Sequence, residues 1–155
     1  MKKQKKSIFV YVLLFAMIFQ SISGLFGGCL FIINPSGDFI GMPLSNLSGT
    51  PFSDYLIPGI ILFILLGIFP LFVAYSLIFK PNWERANVLN VYKDQQWAWT
   101  YSLYVSIMLI IWIDVQIMLI GYGAPIQIVY AFLGVFLLIL TLIPSVKSFY
   151  SIKSQ

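Results

Sequence analysis

The sequence has no histidine, and only 9% of its 155 residues carry a charge. Without histidine there is no imidazole for haem, for most zinc sites or for general acid–base catalysis. The single cysteine, Cys29, excludes a dithiol redox pair within one chain. A soluble domain carries roughly 25% charged residues. The scarcity of charge therefore predicts a membrane protein, and we expect no cofactor.

Hydrophobic residues make up 60% of the chain and gather in four long apolar runs. These runs cover about residues 8–33, 55–79, 98–120 and 126–143. A bilayer core of about 30 Å requires roughly 20 helical residues, and amides in lipid must bond within their own segment. The sequence therefore predicts an all-α protein, in which residues 1–155 form one bundle of four transmembrane helices.

The nine basic residues all lie on one side of these predicted helices. They are Lys2, Lys3, Lys5, Lys6, Lys80, Arg85, Lys93, Lys147 and Lys153. Cytoplasmic loops carry the excess of Lys and Arg. We therefore expect a multi-pass protein of the cell membrane with both termini in the cytoplasm. The lipid bilayer is its first partner, and nucleic acid is excluded because no soluble region is large enough to bind it.

Two N-terminal interpretations compete. Residues 1–29 combine a basic start, an apolar core and Gly27-Gly28-Cys29, which is similar to a lipoprotein signal. The apolar run continues through Ile33, however, where a lipoprotein normally becomes polar. A first transmembrane helix is therefore the favoured interpretation.

Aromatic residues mark the cytoplasmic ends of the second and third runs. Trp83, Trp97, Trp99 and Tyr101 cluster there. Amphipathic rings are typical of the membrane–water interface. We expect them at that interface rather than in ordinary packing.

The segment between the first two runs is predicted to fold as an outward cap. Gly, Pro, Ser and Asp are dense over residues 34–54, including Asp38, Pro51 and Asp54, and specify turns. The segment also retains apolar side chains that a merely solvated loop does not need. Ser53 or Asp54 is placed to cap the second helix.

Asp114 is the sharpest candidate for function. It lies inside the third run, about 10 Å below the outer helix end at about 1.5 Å per residue. Intramembrane ionisable residues are functional candidates, although a carboxyl can also serve as hydrogen-bonded packing between helices. Gln116 points almost opposite, because two residues turn a helix by about 200°. Gln127 is expected near the outer interface. We take these three residues as the candidate intramembrane polar site.

Small residues indicate where helices pack closely. Gly24 and Gly28 form a GxxxG pair in the first run. Gln127, Ala131 and Gly134 form a stripe at i, i+4 and i+7 in the fourth run. Helix packing is the favoured role of both stripes. Pro70, deep in the second run, is expected to kink its helix.

The loop sequence resembles a known family. Residues 34–37 read NPSG, residues 41–45 read GMPLS and residues 49–59 read GTPFSDYLIPG. With Trp97, Trp99 and the stretch 111–116, this pattern resembles an uncharacterised family of small bacterial four-helix integral membrane proteins. The resemblance implies a fold and a location. It carries no catalytic residues.

No phosphate loop, serine triad or metal cluster is visible in the sequence. The favoured function is a non-enzymatic accessory or partner-binding membrane protein, with another membrane protein or a second copy of itself as the partner. The first alternative is a small transporter or channel subunit that uses Asp114 as an ion site. The second is a membrane enzyme that acts on lipid through Asp38, Asp54 and Asp114.

Overall fold

Helices dominate the structure, as expected when the amides of apolar runs must bond within their own segment. The computed structural model of the protein describes residues 7–123 and 125–152. Four long helices follow in order: α1 Ile8–Ile33, α2 Leu56–Phe79, α3 Trp97–Ile120 and α4 Pro125–Leu142. A short helix, α5 Pro144–Phe149, follows. All four long helices are long and apolar enough to cross a membrane. The all-α, four-helix prediction is confirmed over these residues.

The long helices form two hairpins, α1 with α2 and α3 with α4, that pack against each other. We call the end of the bundle near residues 34–55 the cap end and the opposite end the termini end. Fully buried side chains such as Leu13, Val73 and Leu137 fill the termini half. In α3 the last buried residue is Ile113. The hairpins therefore pack tightly at the termini end and part toward the cap end.

Residues 34–55, which we call the cap, fold through two short 3-10 turns, Asp38–Ile40 and Leu44–Leu47. Tyr55 fixes the cap: its N–H donates to the Pro35 carbonyl at 2.9 Å and its hydroxyl to the Pro43 carbonyl at 3.2 Å. Its ring stacks on Phe31, with centroids 4.8 Å apart. Burial raises the pKa of the Tyr55 phenol, so the hydroxyl remains a donor.

The cap also starts α2. The Asp54 carboxylate accepts a hydrogen bond from the Leu56 N–H at 2.9 Å. This bond satisfies one of the amides that the first turn of a helix leaves free. Tyr55 occupies the N-cap position itself, and Asp54, one residue earlier, supplies the side-chain acceptor for the first turn.

The expectation for the tryptophans was wrong in part. Trp97 and Trp99 are buried inside the bundle, with 2% and 1% of their surface exposed. Their indole N–H groups donate to the carbonyls of Pro81 and Thr141, each at 2.9 Å. Because each ring finds an apolar neighbour and a carbonyl acceptor within the protein, it does not need the membrane interface. Of the four aromatic residues, Trp83 alone is more than half exposed.

Pro70 reshapes α2. A π-helical turn, Ile64–Ile68, ends two residues before it. In a regular α-helix the N–H of residue 70 would donate to the Leu66 carbonyl, but Pro70 has no N–H. The Gln20 side chain of α1 supplies the replacement, with its Nε2 3.2 Å from that oxygen. Proline therefore produces a widened turn bonded to the neighbouring helix.

The small residues lie where helices approach closely. A Cβ on Gly24 would stand 2.1 Å from the Leu66 carbonyl oxygen, and one on Gly28 would stand 2.6 Å from the Phe63 nitrogen. A Cβ on Gly134 would lie 2.8 Å from the side chain of Ile110 in α3. Ala131 packs against the core as a half-buried residue. At Gly24 in particular, a larger residue would collide with rigid backbone.

Gly24→Ala is therefore expected to destabilise the bundle by about 1–3 kcal/mol, because the new methyl group must push α1 away from the π-turn. Gly27→Ala is the matched control, because its Cβ would meet only the flexible end of Leu62, at 3.3 Å. Denaturant unfolding in detergent micelles measures both. Equal stability of the two variants would contradict the close approach at Gly24.

Candidate functional site

A cavity of about 640 Å³ lies where the two hairpins part, beneath the cap. Its volume falls within the roughly 300–1,000 Å³ typical of small-molecule sites. Residues from α1, α2, α3, α4, the cap and the turn before α4 all contribute to its wall. The lining residues include Gln20, Ser23, Asn46, Leu109, Trp112, Ile113, Gln116, Gln127 and Tyr130.

The cavity wall is uncharged. Its lining side chains within the described residues are mainly apolar, and its polar groups are four amides, the hydroxyls of Ser23 and Tyr130 and the indole N–H of Trp112. A low-dielectric site without a countercharge strongly disfavours a bound ion. The wall therefore suits a neutral molecule.

Gln20 lies at the inner part of the cavity and is the most unusual group in it. The residue sits midway along α1, about 20 Å from the cap end at about 1.5 Å per residue. It is 1% exposed. Its Nε2 donates a hydrogen bond to the Leu66 carbonyl, but its Oε1 has no hydrogen-bond partner among the described residues. A buried acceptor left unpaired costs about 1–3 kcal/mol.

Gln116 and Gln127, two of the predicted polar residues, line the same cavity. Gln127 is 6% exposed and fastens the turn before α4. Its Oε1 accepts from the Gly123 N–H at 3.1 Å, and its Nε2 donates to the Gly121 carbonyl at 3.4 Å. Gln116 is half-buried and has no hydrogen bond to any described residue. Gln127 is thus committed to the turn, whereas the Gln116 amide is available.

Asp114, the third predicted polar residue, lies elsewhere. Its side chain is exposed on the outside of α3 and does not line the cavity. Ile107, Ile111 and Met118 share its helix face by spacing, and 45%, 55% and 84% of their surfaces are exposed. We call these four residues the Asp114 stripe. No described residue forms a hydrogen bond or ion pair with the Asp114 carboxyl.

The other predicted cap residues, Asp38, Pro51 and Asp54, lie within the cap and not in the cavity wall. Asp38 is exposed, and its carboxylate accepts a hydrogen bond from the Ser36 hydroxyl. Pro51 is exposed, and Asp54 caps α2. Neither acidic residue lines the cavity, so the described structure does not bring Asp38, Asp54 and Asp114 to one pocket. The described residues contain no group of three or more acidic or cysteine side chains able to hold a metal ion.

Gln20 was missed by the sequence analysis, which singled out Gly24 and Gly28 in the same run. It is the one glutamine in the first apolar run, and that position could have drawn attention. Its partner could not be named without knowing that α1 packs against the π-turn of α2.

Comparisons with known proteins do not identify the chain: no family model, no curated protein and no solved structure matches it. The similarity to small bacterial four-helix membrane proteins remains a prediction. The cavity and the Asp114 stripe are therefore interpreted from their own geometry and chemistry.

Proposed function

We propose that this protein is a non-enzymatic accessory subunit of the cell membrane that binds another transmembrane helix through the Asp114 stripe. The four helices of spanning length support a multi-pass membrane protein. The single observation that carries the partner-binding role is the exposed, unpaired carboxyl of Asp114 on an apolar helix face.

The proposed orientation places both termini in the cytoplasm. The described basic residues Lys80, Arg85, Lys93 and Lys147 all belong to the termini end of the bundle, and residues 34–55 contain no Lys or Arg. Positive charge is retained on the cytoplasmic side during insertion. The Lys80 ammonium also donates to the Phe149 carbonyl at 3.0 Å and lies 3.7 Å from the centre of that ring. This contact joins the middle loop to the C-terminal segment.

An exposed carboxyl on a transmembrane helix needs a partner. Insertion scales give a cost of about 2.5–3.5 kcal/mol for Asp at the centre of a transmembrane helix, and Asp114 lies within its helix, between that centre and the outer end. The stripe has the i, i+4, i+7, i+11 spacing of a helix–helix seam. A single polar group on such a seam selects a neighbour that can hydrogen-bond to it. The occupant we propose is a membrane helix with a hydrogen-bond donor at the depth of Asp114.

The same placement weakens the transport alternative. A carboxyl that passes ions through this chain is expected to face an internal aqueous path. Asp114 instead faces away from the cavity, whose described wall is uncharged. An accessory role therefore has the better support.

The proposed orientation is tested by cysteine labelling in a Cys29→Ser background. Asn46→Cys in the cap is expected to react with a membrane-impermeant maleimide on intact cells, and Val88→Cys only after permeabilisation. Both positions are exposed, so accessibility is matched. Labelling in the reverse order would overturn the orientation.

The proposed interface is tested in lipid vesicles by energy transfer between the labelled protein and labelled model helices. One helix is polyleucine with a single Asn about 10 Å from one end, at the depth of Asp114, and the other is polyleucine alone. An interhelical hydrogen bond of about 0.6–2 kcal/mol predicts roughly 3- to 30-fold tighter association of the Asn helix. Asp114→Leu is expected to remove this preference, because leucine offers no polar atom.

Ile111→Leu is the matched control on the same stripe and is expected to keep the preference for the Asn helix. Equal binding of the two model helices by the unaltered protein contradicts the interface. Energy transfer between two copies of the chain, lost in Asp114→Leu, identifies a second copy as the partner.

A further inference from the structure

We propose that the cavity between the hairpins is a binding site for an uncharged amphipathic molecule that donates a hydrogen bond to Oε1 of Gln20. This site is separate from the Asp114 stripe and does not depend on the partner proposed there. Its ligand class follows from three features of the wall: the free acceptor, the absence of charge and the apolar lining.

The free acceptor is fixed by the fold. Pro70 leaves the Leu66 carbonyl without its helical donor, and only the NH₂ end of the Gln20 amide can donate to it. The amide orientation is thereby determined, and the oxygen is the end that stays unpaired. A ligand that satisfies it must bring a donor, such as a hydroxyl or an amide N–H.

The position of Gln20 within the membrane favours an uncharged ligand. Gln20 lies at the middle of α1, which is the bilayer midplane when the helix spans the membrane. No Asp, Glu, Lys or Arg among the described residues lines the cavity to neutralise a carboxylate, phosphate or ammonium. A neutral hydroxyl avoids the desolvation that an ion would suffer at this depth.

The body of the ligand is expected to be apolar. Leu109, Trp112, Ile113 and Tyr130 form the wall between Gln20 and the cap end. Polar groups return near the cap end, where Asn46 and Gln116 line the cavity. A ligand with a hydroxyl at its inner end, next to Gln20, and an aliphatic or aromatic chain that extends toward the cap end matches this wall. A column of water is the competing occupant, because water also donates to Gln20.

The test uses three probes of equal chain length that carry bromine at the far end of the chain: bromooctanol, bromooctane and bromooctanoate. Bromine quenches tryptophan fluorescence, and Trp112 is the tryptophan that lines the cavity. The full-length protein is reconstituted in phosphatidylcholine nanodiscs. Saturable quenching is expected for bromooctanol, with an affinity about fivefold above that of bromooctane, which lacks a donor, and further above that of anionic bromooctanoate. Trp112→Phe should remove the saturable component.

Two variants locate the binding. Gln116→Phe fills the cavity and is expected to abolish saturable quenching, whereas Met118→Phe, on the exposed side of the same helix, should leave it unchanged. Gln20→Leu is expected to erase the preference for bromooctanol over bromooctane. If Gln20→Leu does not fold, the probe ranking in the unaltered protein and the Gln116→Phe and Met118→Phe pair still decide the outcome.

Three results would overturn the proposal. Unsaturable quenching by all probes means that they only partition into lipid and that water occupies the cavity. Equal effects of Gln116→Phe and Met118→Phe place the binding outside the cavity. Equal affinities for bromooctanol and bromooctane in the unaltered protein show that Gln20 does not select a donor.

Discussion

The hydrogen bond from Gln20 to the Leu66 carbonyl joins α1 to α2 where α2 cannot satisfy its own backbone. Pro70 removes the donor that this carbonyl would have in a regular helix, and a buried carbonyl left unpaired costs about 1–3 kcal/mol. Gln20 supplies a side-chain donor at 3.2 Å, and the Ser21 hydroxyl bonds the next carbonyl, Gly67, at 2.9 Å. Gly24 lets α1 approach closely enough for both bonds.

The hydrogen bonds from Gln20 and Ser21 hold α1 against α2 at the point where their contacts with α3 and α4 become sparse. The space between the hairpins becomes the cavity, and Oε1 of Gln20, a residue that lines it, has no hydrogen-bond partner among the described residues. On the opposite face of α3, Asp114 remains outside the bundle. The protein thus presents two separate polar features in apolar surroundings, one internal and neutral, the other external and acidic.

Several features could be predicted from residue patterns because they depend on local properties. The four helices follow from long apolar runs, and the separation of Asp114 from Gln116 follows from helical geometry. Tertiary contacts decided the rest. Trp97 and Trp99 are buried because α2, α4 and the middle loop supply apolar neighbours and carbonyl acceptors. The role of Gln20 depends on the packing of α1 against the π-turn of α2, and nothing in the sequence of α1 indicates that Leu66 lacks a donor.

The most direct test of the hydrogen bond from Gln20 to the Leu66 carbonyl is a double-mutant cycle between Gln20→Leu and Pro70→Ala, measured by denaturant unfolding in detergent micelles. Gln20→Leu leaves the Leu66 carbonyl unpaired, which costs about 1–3 kcal/mol, and also removes the unpaired Oε1, which offsets part of that cost in both backgrounds. In the Pro70→Ala background, residue 70 offers an N–H to that carbonyl. Removal of Gln20 should then cost at least about 1 kcal/mol less. An equal cost in both backgrounds would contradict the account, because it would show that Gln20 does not replace the donor that Pro70 removes.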